Sequence, residues 1–250
     1  MEKRFSDVRS DNAESSIVLH YVRTSNGQKI AIMLEETGIE YLVKEYNIFS
    51  GDHLAPAFKE INPNQRLPAL VDPAPTGGIC PLIVAETGAM LLYLAEKSGQ
   101  FLSSDIYRKM ATIQWLQWQV SGLGPMLGQG YHFARYAPEG QDYAIDRYTR
   151  EARRLLCVME DQLLDRDFLA EDYSIADMAC WPWLQNVANL GIDRAQYPRV
   201  QRWFETIGAR PAVQRVLVAP ALAVPASSIQ PRMQLTRDQW SNLFGRSETT

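Results

Sequence analysis

The sequence predicts an α/β unit over residues 17–100 joined to an all-α unit over residues 105–219. Three observations carry this reading. Apolar runs of strand period and helix period alternate early in the chain, in the order strand, helix, strand, helix, strand, strand, helix. The stretch Asn62-Pro63-Asn64-Gln65-Arg66-Leu67-Pro68-Ala69-Leu70-Val71 is a turn-rich lead into a short apolar strand. After Ser104 the apolar spacing is helical throughout.

Taken in order, residues 1–16 are charged and polar with little apolar content, which predicts a loose arm. Ile17–Val22 is a strand, Thr24-Ser25-Asn26-Gly27 a polar turn, and Gln28–Thr37 an amphipathic helix. A second strand is expected near Tyr41–Asn47, then a turn at Gly51-Asp52-His53 and a short helix over Pro56–Ile61. Proline has no N–H, so Pro68 should open the third strand and not sit inside it. An X-Pro bond in a tight turn adopts the cis form at low cost. A cis bond here would turn the Leu67 N–H and C=O outward, free to pair with an extended peptide. Asp72–Gly78 has the chemistry of a hairpin loop. Pro81–Ala85 is the fourth strand, Glu86-Thr87-Gly88 opens a helix, and Gly99 stops it. Phe101–Ser104 is the linker.

Asp105 to about Tyr136 reads as one long helix with a flaw at Ser121-Gly122-Leu123-Gly124-Pro125, where proline predicts a kink. Gly122-x-Gly124 is no phosphate loop, because no strand precedes it and a proline follows. Asp142 to about Asp167 is the next helix. Trp115, Trp118, Trp181 and Trp183 sit at helical spacings and read mainly as core. In Tyr173-Ser174-Ile175-Ala176-Asp177-Met178, Ser174 and Asp177 form a capping box, with Tyr173 and Met178 placed as a hydrophobic staple. Residues 220–250 form a C-terminal extension. Thr236 and Gln239 give it a second capping box, and Trp240, Leu243 and Phe244 share one face, so a short helix packed on the body is expected.

A net charge of −4 gives no electrostatic case for nucleic acid or an anionic membrane. No apolar run approaches the ~20 residues of a membrane span. The N-terminus lacks the apolar core of a signal peptide. Cys80, Cys157 and Cys180 lack metal or CxxC spacing, which predicts a reduced, cytoplasmic protein without a metal. Cys157 and Cys180 fall on helices and read as buried packing residues.

The early element order with its Leu67-Pro68 strand resembles the thioredoxin-like domain of glutathione transferases, and the Ser174-x-Ala176-Asp177 box resembles their helical domain. Thr24–Lys29, Asn62-Pro63-Asn64, Gln114-Trp115-Leu116, Gly124–Gln129 and Ala144–Tyr148 are similar to the bacterial nu class. They are equally similar to the fungal transferases related to the yeast prion-forming nitrogen regulator. Ser25 replaces the proline usual in the first turn of the nu class, and His53 resembles the fungal branch.

The resemblance implies a glutathione site. Leu67, before Pro68, would pair with the cysteinyl backbone, and Glu86 with Thr87 would hold the γ-glutamyl end. The thiol would lie at the turn Thr24–Asn26, where unpaired N–H groups and the helix dipole favour a thiolate. Thr24 and Asn26 are the expected catalytic donors. Tyr21 and Ser25 are rival donors, and Thr24 and Asn26 could instead merely shape the turn and cap the helix. His53 and Arg66 would meet the glycyl carboxylate, and Gln129 and Arg147 match positions that reach glutathione. No cysteine occurs in the turn, so thiol–disulfide exchange must use the thiol of glutathione itself. The implied function is reduction of small disulfides by a homodimer with glutathione as co-substrate. The alternatives are a transferase adding glutathione to an electrophile and a non-enzymatic glutathione-binding regulator.

Overall fold

The computed structural model describes residues 16–224 and 232–245, so the expected arm, except Ser16, and part of the C-terminal extension lie outside the described residues. Four strands form one mixed sheet in the order β2-β1-β3-β4: β1 (Ile17–Tyr21), β2 (Tyr41–Glu45), β3 (Ala69–Asp72) and β4 (Leu82–Val84). β1 runs parallel to β2, with Leu19 opposite Val43, and antiparallel to β3, with Leu19 opposite Leu70. Ile17, Leu19 and Tyr21 belong to the main core, shared with buried residues of α1 (Ser25–Thr37) and α3 (Thr87–Ser98). His20, of opposite parity, meets Tyr46 and Phe58, and Phe58 belongs to α2 (Pro56–Ile61). Both faces of the sheet are therefore covered.

α1 starts three residues earlier than the sequence predicts. Thr24 caps it, accepting from the Gly27 N–H at 3.3 Å, and the expected polar turn is the first turn of the helix. Gly38 ends α1 at φ 70, a left-handed cap. The Leu67-Pro68 peptide is cis, and Pro68 stands just before β3.

The helical unit holds α4 (Ile106–Trp118), α5 (Gly124–Arg135), α6 (Asp142–Gln162), α7 (Ile175–Cys180), α8 (Pro198–Gly208) and α9 (Pro211–Val218). The expected kink is a π-helical turn over Gln119–Leu123. Pro125 follows it at the start of α5; the backbone is helical on both sides, so its missing N–H breaks the helical ladder, and the break falls beside the π turn. Gly124 is required there, because a Cβ would sit 2.6 Å from Gln119 Nε2.

The capping box before α7 forms, and it is deeper than a surface cap. Ser174 N–H donates to Asp177 Oδ2 at 3.1 Å, while Oδ1 accepts from Leu169 N–H at 3.0 Å and Trp203 Nε1 at 2.8 Å. Asp177 thus ties a loop, a helix start and α8 together. Burial nonetheless pushes its carboxyl pKa up to about 6.

One core runs from the sheet into the helices, and ion pairs close its rim: Arg210 to Glu36 at 2.6 Å and Arg215 to Glu35 at 2.5 Å. Cys180 is buried, but Cys157 is exposed, contrary to the expected packing role, because its position on α6 faces away from the core. Cys80 is exposed as well.

The extension ends in α10 (Arg237–Phe244), capped reciprocally by Thr236 and Gln239. Phe244 packs edge-on to His132 of α5 at 4.5 Å, and Asn242 Nδ2 donates to Phe49 O at 2.9 Å. α10 therefore touches both units. No helix among the described residues is long and apolar enough to cross a membrane.

Candidate functional site

Two adjoining cavities meet at the start of α1, sharing Asn26, Gly128 and Trp183 as lining. The larger, about 870 Å³, lies between the loop after β2, the β3 entry and α5, with Leu243 of α10 in its wall. The smaller, about 490 Å³, lies between Glu86 and Thr87 on one side and Gln119 and Gln129 on the other.

The expected residues distribute over both. Thr24, Asn26, His53, Arg66 and Leu67 line the larger cavity. Glu86, Thr87, Gln129 and again Asn26 line the smaller one. Pro68 lines neither; its part is to open β3 behind Leu67. Arg147 lines neither and stands exposed on α6, 3.8 Å from Glu151.

The rival donors separate by hydrogen bonding. The Tyr21 ring is fully buried, its hydroxyl donates to Leu222 O at 2.7 Å, and burial raises its pKa. The strand alternation that aims Leu19 into the core aims Tyr21 there too. Ser25 lines the larger cavity, but its hydroxyl donates to Pro182 O at 3.2 Å. Thr24 Oγ1 is engaged as the helix cap and lies 3.5 Å from Val22 O, a long contact. Among the described residues the Asn26 side chain has no hydrogen-bond partner, so its amide is free at the junction of the cavities.

His53 is 3% exposed, and its Nδ1 has no partner among the described residues. Burial holds its pKa down, with Arg66 adding to the effect and a hydrogen bond to the Asn242 backbone opposing it. Arg66 Nη1 donates to Leu243 O at 3.2 Å. Both expected carboxylate donors are therefore in contact with α10.

Glu86 has φ 68, a region sparsely populated by residues with a side chain and tolerated where the surroundings impose it. It precedes the first turn of α3, whose free N–H groups open toward the smaller cavity.

The sequence reading missed Lys29, Gln119, Trp183, Tyr131 and Arg135. Lys29 is 2% exposed; its Nζ donates to Gln119 Oε1 at 2.6 Å and Thr87 Oγ1 at 3.2 Å. Its position in the helix gives no signal, because every residue from Gly27 to Glu35 is buried, polar and apolar alike. Trp183 stacks on Tyr131 at 6.4 Å and walls both cavities, whereas Trp181 is core. Helical spacing alone does not separate those two tryptophans.

Known proteins share this architecture. Residues 14–96 match the family model "Glutathione S-transferase, N-terminal domain", and residues 142–206 match "Glutathione S-transferase, C-terminal domain". A curated relative, Disulfide-bond oxidoreductase YfcG of Escherichia coli (strain K12), is 46% identical over 207 residues, 82% of this chain and 96% of that protein. Transcriptional regulator URE2 of Saccharomyces cerevisiae is 32% identical over 234 residues, 77% of this chain and 64% of that one. A crystal structure of a glutathione transferase from Pseudomonas putida, with one glutathione disulfide bound per subunit, superposes with a TM-score of 0.77 at 41% identity. It covers 82% of this chain and 92% of that one. The cis Leu67-Pro68 bond, the capped α7 and these matches over both units agree: the chain belongs to the glutathione S-transferase family.

Proposed function

We propose that this protein reduces small disulfides with the thiol of bound glutathione, using no cysteine of its own. The observation that carries the reading is the α1 start, where the Asn26 amide, without a hydrogen-bond partner among the described residues, and the helix N-terminus converge at the mouth of two cavities and no cysteine is present. The name of the Escherichia coli relative, a disulfide-bond oxidoreductase, supports it.

Glutathione lies with its γ-glutamyl end in the smaller cavity at Glu86, Thr87 and Gln129. Its cysteinyl backbone runs along Leu67, and its glycyl carboxylate lies toward His53 and Arg66. Asn26 and the α1 N-terminus stabilise the thiolate, with Thr24 shaping the turn and supplying a second donor. The thiolate attacks one sulfur of the substrate disulfide, and the other sulfur leaves as a thiolate that takes a proton from water. A second glutathione thiolate then attacks the mixed disulfide. One substrate disulfide and two glutathione molecules thus become two substrate thiols and one glutathione disulfide.

Residues 17–100 carry most of the glutathione contacts, Gln129 of α5 adds one from the helical unit, and residues 105–219 otherwise shape the pocket for the second substrate. We take the working form to be a cytoplasmic homodimer. Exposed Leu82 and Ile83 of β4 and Ile106, Tyr107 and Met110 of α4 give it apolar surface to bury. Arg147, free of both cavities within one chain, would serve the partner's site.

Turnover of a model dialkyl disulfide and of chlorodinitrobenzene, each with glutathione, tests the reading. Faster disulfide reduction supports it. Conjugation of the aromatic without disulfide reduction would make the protein a conventional transferase, and glutathione binding with neither reaction would make it a binding module.

A further inference from the structure

The smaller cavity contains a buried cation that the glutathione reading leaves unused. Lys29 sits on α1 with 2% exposure, among Gln119 of the π-helical turn, Thr87 of α3 and the Trp183 ring, 5.9 Å from its Nζ. Among the described residues it meets two neutral oxygens within hydrogen-bond distance, Gln119 Oε1 and Thr87 Oγ1, and no carboxylate. Glu86 is the charged group that acts on it near neutrality; the buried Cys180 of α7 lies close too, but burial pushes its thiol pKa up and keeps it neutral. Desolvation outweighs the attraction, and the Lys29 pKa falls to about 7.

Two construction details show that this contact is built. The π turn places Gln119, fully buried, with Oε1 on Lys29, and it needs Gly124 beside the amide to do so. Thr87 is the first residue of α3, so its hydroxyl is held between the Lys29 ammonium and the cavity.

Resting on the reading of this cavity as the γ-glutamyl site, we infer that Lys29 is a positioning residue for the α-carboxylate of that group, acting through Thr87. While Lys29 is an ammonium it donates to Thr87 Oγ1, and the threonine proton must point elsewhere, into the cavity, where a carboxylate accepts it. Once Lys29 is a neutral amine, its lone pair becomes an acceptor and draws the same proton away from the cavity. The ammonium also supplies positive charge in a low-dielectric wall opposite Glu86, whose carboxylate suits the ligand's α-ammonium. A zwitterionic amino-acid head is thereby matched at both ends. The bound carboxylate favours the charged lysine, so binding near neutrality takes up a proton.

Calorimetric titration with S-methylglutathione, which has no thiol to ionise, reads this directly. In buffers of small and large ionisation enthalpy at pH 7, the wild type should take up about half a proton per ligand, the neutral fraction of a group with pKa near 7. The analogue with its glutamyl α-carboxylate converted to an amide should take up almost none. Lys29→Met, of similar length and apolar, should bind S-methylglutathione about tenfold or more weakly with no proton uptake, and should bind S-methylglutathione and its α-amide analogue nearly alike. If wild-type binding enthalpy is independent of buffer, or the amide takes up the same proton, Lys29 does not position this carboxylate. The ligand comparison uses wild-type protein and stands even if Lys29→Met fails to fold. A wild type that binds neither ligand would overturn the glutathione reading along with this one.

Discussion

The Tyr21 hydroxyl donates to the carbonyl of Leu222 at 2.7 Å, across 201 residues of chain. The residue is fully buried, and the bond fastens the end of β1 to the segment after α9. Tyr21 is thereby a strut between the α/β unit and the start of the C-terminal extension, and the thiol must look elsewhere for its donor.

Tyr21→Phe should accordingly leave the pH dependence of disulfide reduction unchanged. Its cost is stability, about 1–3 kcal/mol for a buried carbonyl left without its donor. Urea denaturation and a pH–rate profile on the same variant check both halves.

His20 gives the protein an acid-sensitive point away from the site. Burial, with Lys44 nearby, lowers its pKa to about 4 from an ordinary 6.5, and the ring hydrogen-bonds the Tyr46 hydroxyl through Nδ1 at 2.8 Å. The folded state prefers the neutral ring. Its contribution is complete above the unfolded pKa of 6.5 and is lost as pH falls from there toward about 4. At most about 3 kcal/mol is involved, from 1.36 kcal/mol per pKa unit. His20→Gln should flatten the stability curve between those pH values, as measured by thermal unfolding.

α10 is too short to be helical alone, so its structure depends on its contacts. Phe244 meets His132 at 4.5 Å, Trp240 at 4.8 Å and Tyr136 at 5.6 Å. Phe244→Ala combined with Trp240→Ala should release it. Amide exchange over residues 237–244 should become fast, and KM for glutathione should rise, since Arg66 and His53 lose their contacts to Leu243 and Asn242.

Arg147→Ala should weaken glutathione binding by roughly 1.5–3 kcal/mol, the range for a hydrogen bond to a charged group. The effect belongs to the dimer, because among the described residues of one chain Arg147 pairs with Glu151 alone. Sedimentation alongside a binding titration tests it; a monomer with unchanged affinity would remove Arg147 from the site.

How much was legible follows from which signals are local. The Leu67-Pro68 strand entry, the Ser174–Asp177 box and the Thr236–Gln239 box are short-range chemistry, and their residues announce them. The start of α1 was misjudged because Thr24-Ser25-Asn26-Gly27 has equal claims as a turn and as a capped first turn; packing of the helix decided it. The π turn was visible as a flaw at Gly124-Pro125, but not as the device that carries Gln119 to Lys29, ninety residues earlier. Lys29 itself was hidden because a lysine on a helix is ordinarily a solvated one. Cys157 was misread because helical position alone does not say which face is buried.

The most direct test of the central claim compares two variants in one disulfide reductase assay. In the first, Cys80 and Cys157 become Ser and Cys180 becomes Ala; in the second, Asn26 becomes Ala. Asn26 has no side-chain partner among the described residues, so its loss should leave stability within about 0.5 kcal/mol. Losing a donor to the thiolate should nevertheless lower the rate about 10–150-fold, the equivalent of roughly 1.5–3 kcal/mol. The account predicts that the cysteine-free protein stays within a few-fold of the parent while Asn26→Ala falls in that range. A folded cysteine-free protein without activity, beside an Asn26→Ala variant of normal rate, would contradict it.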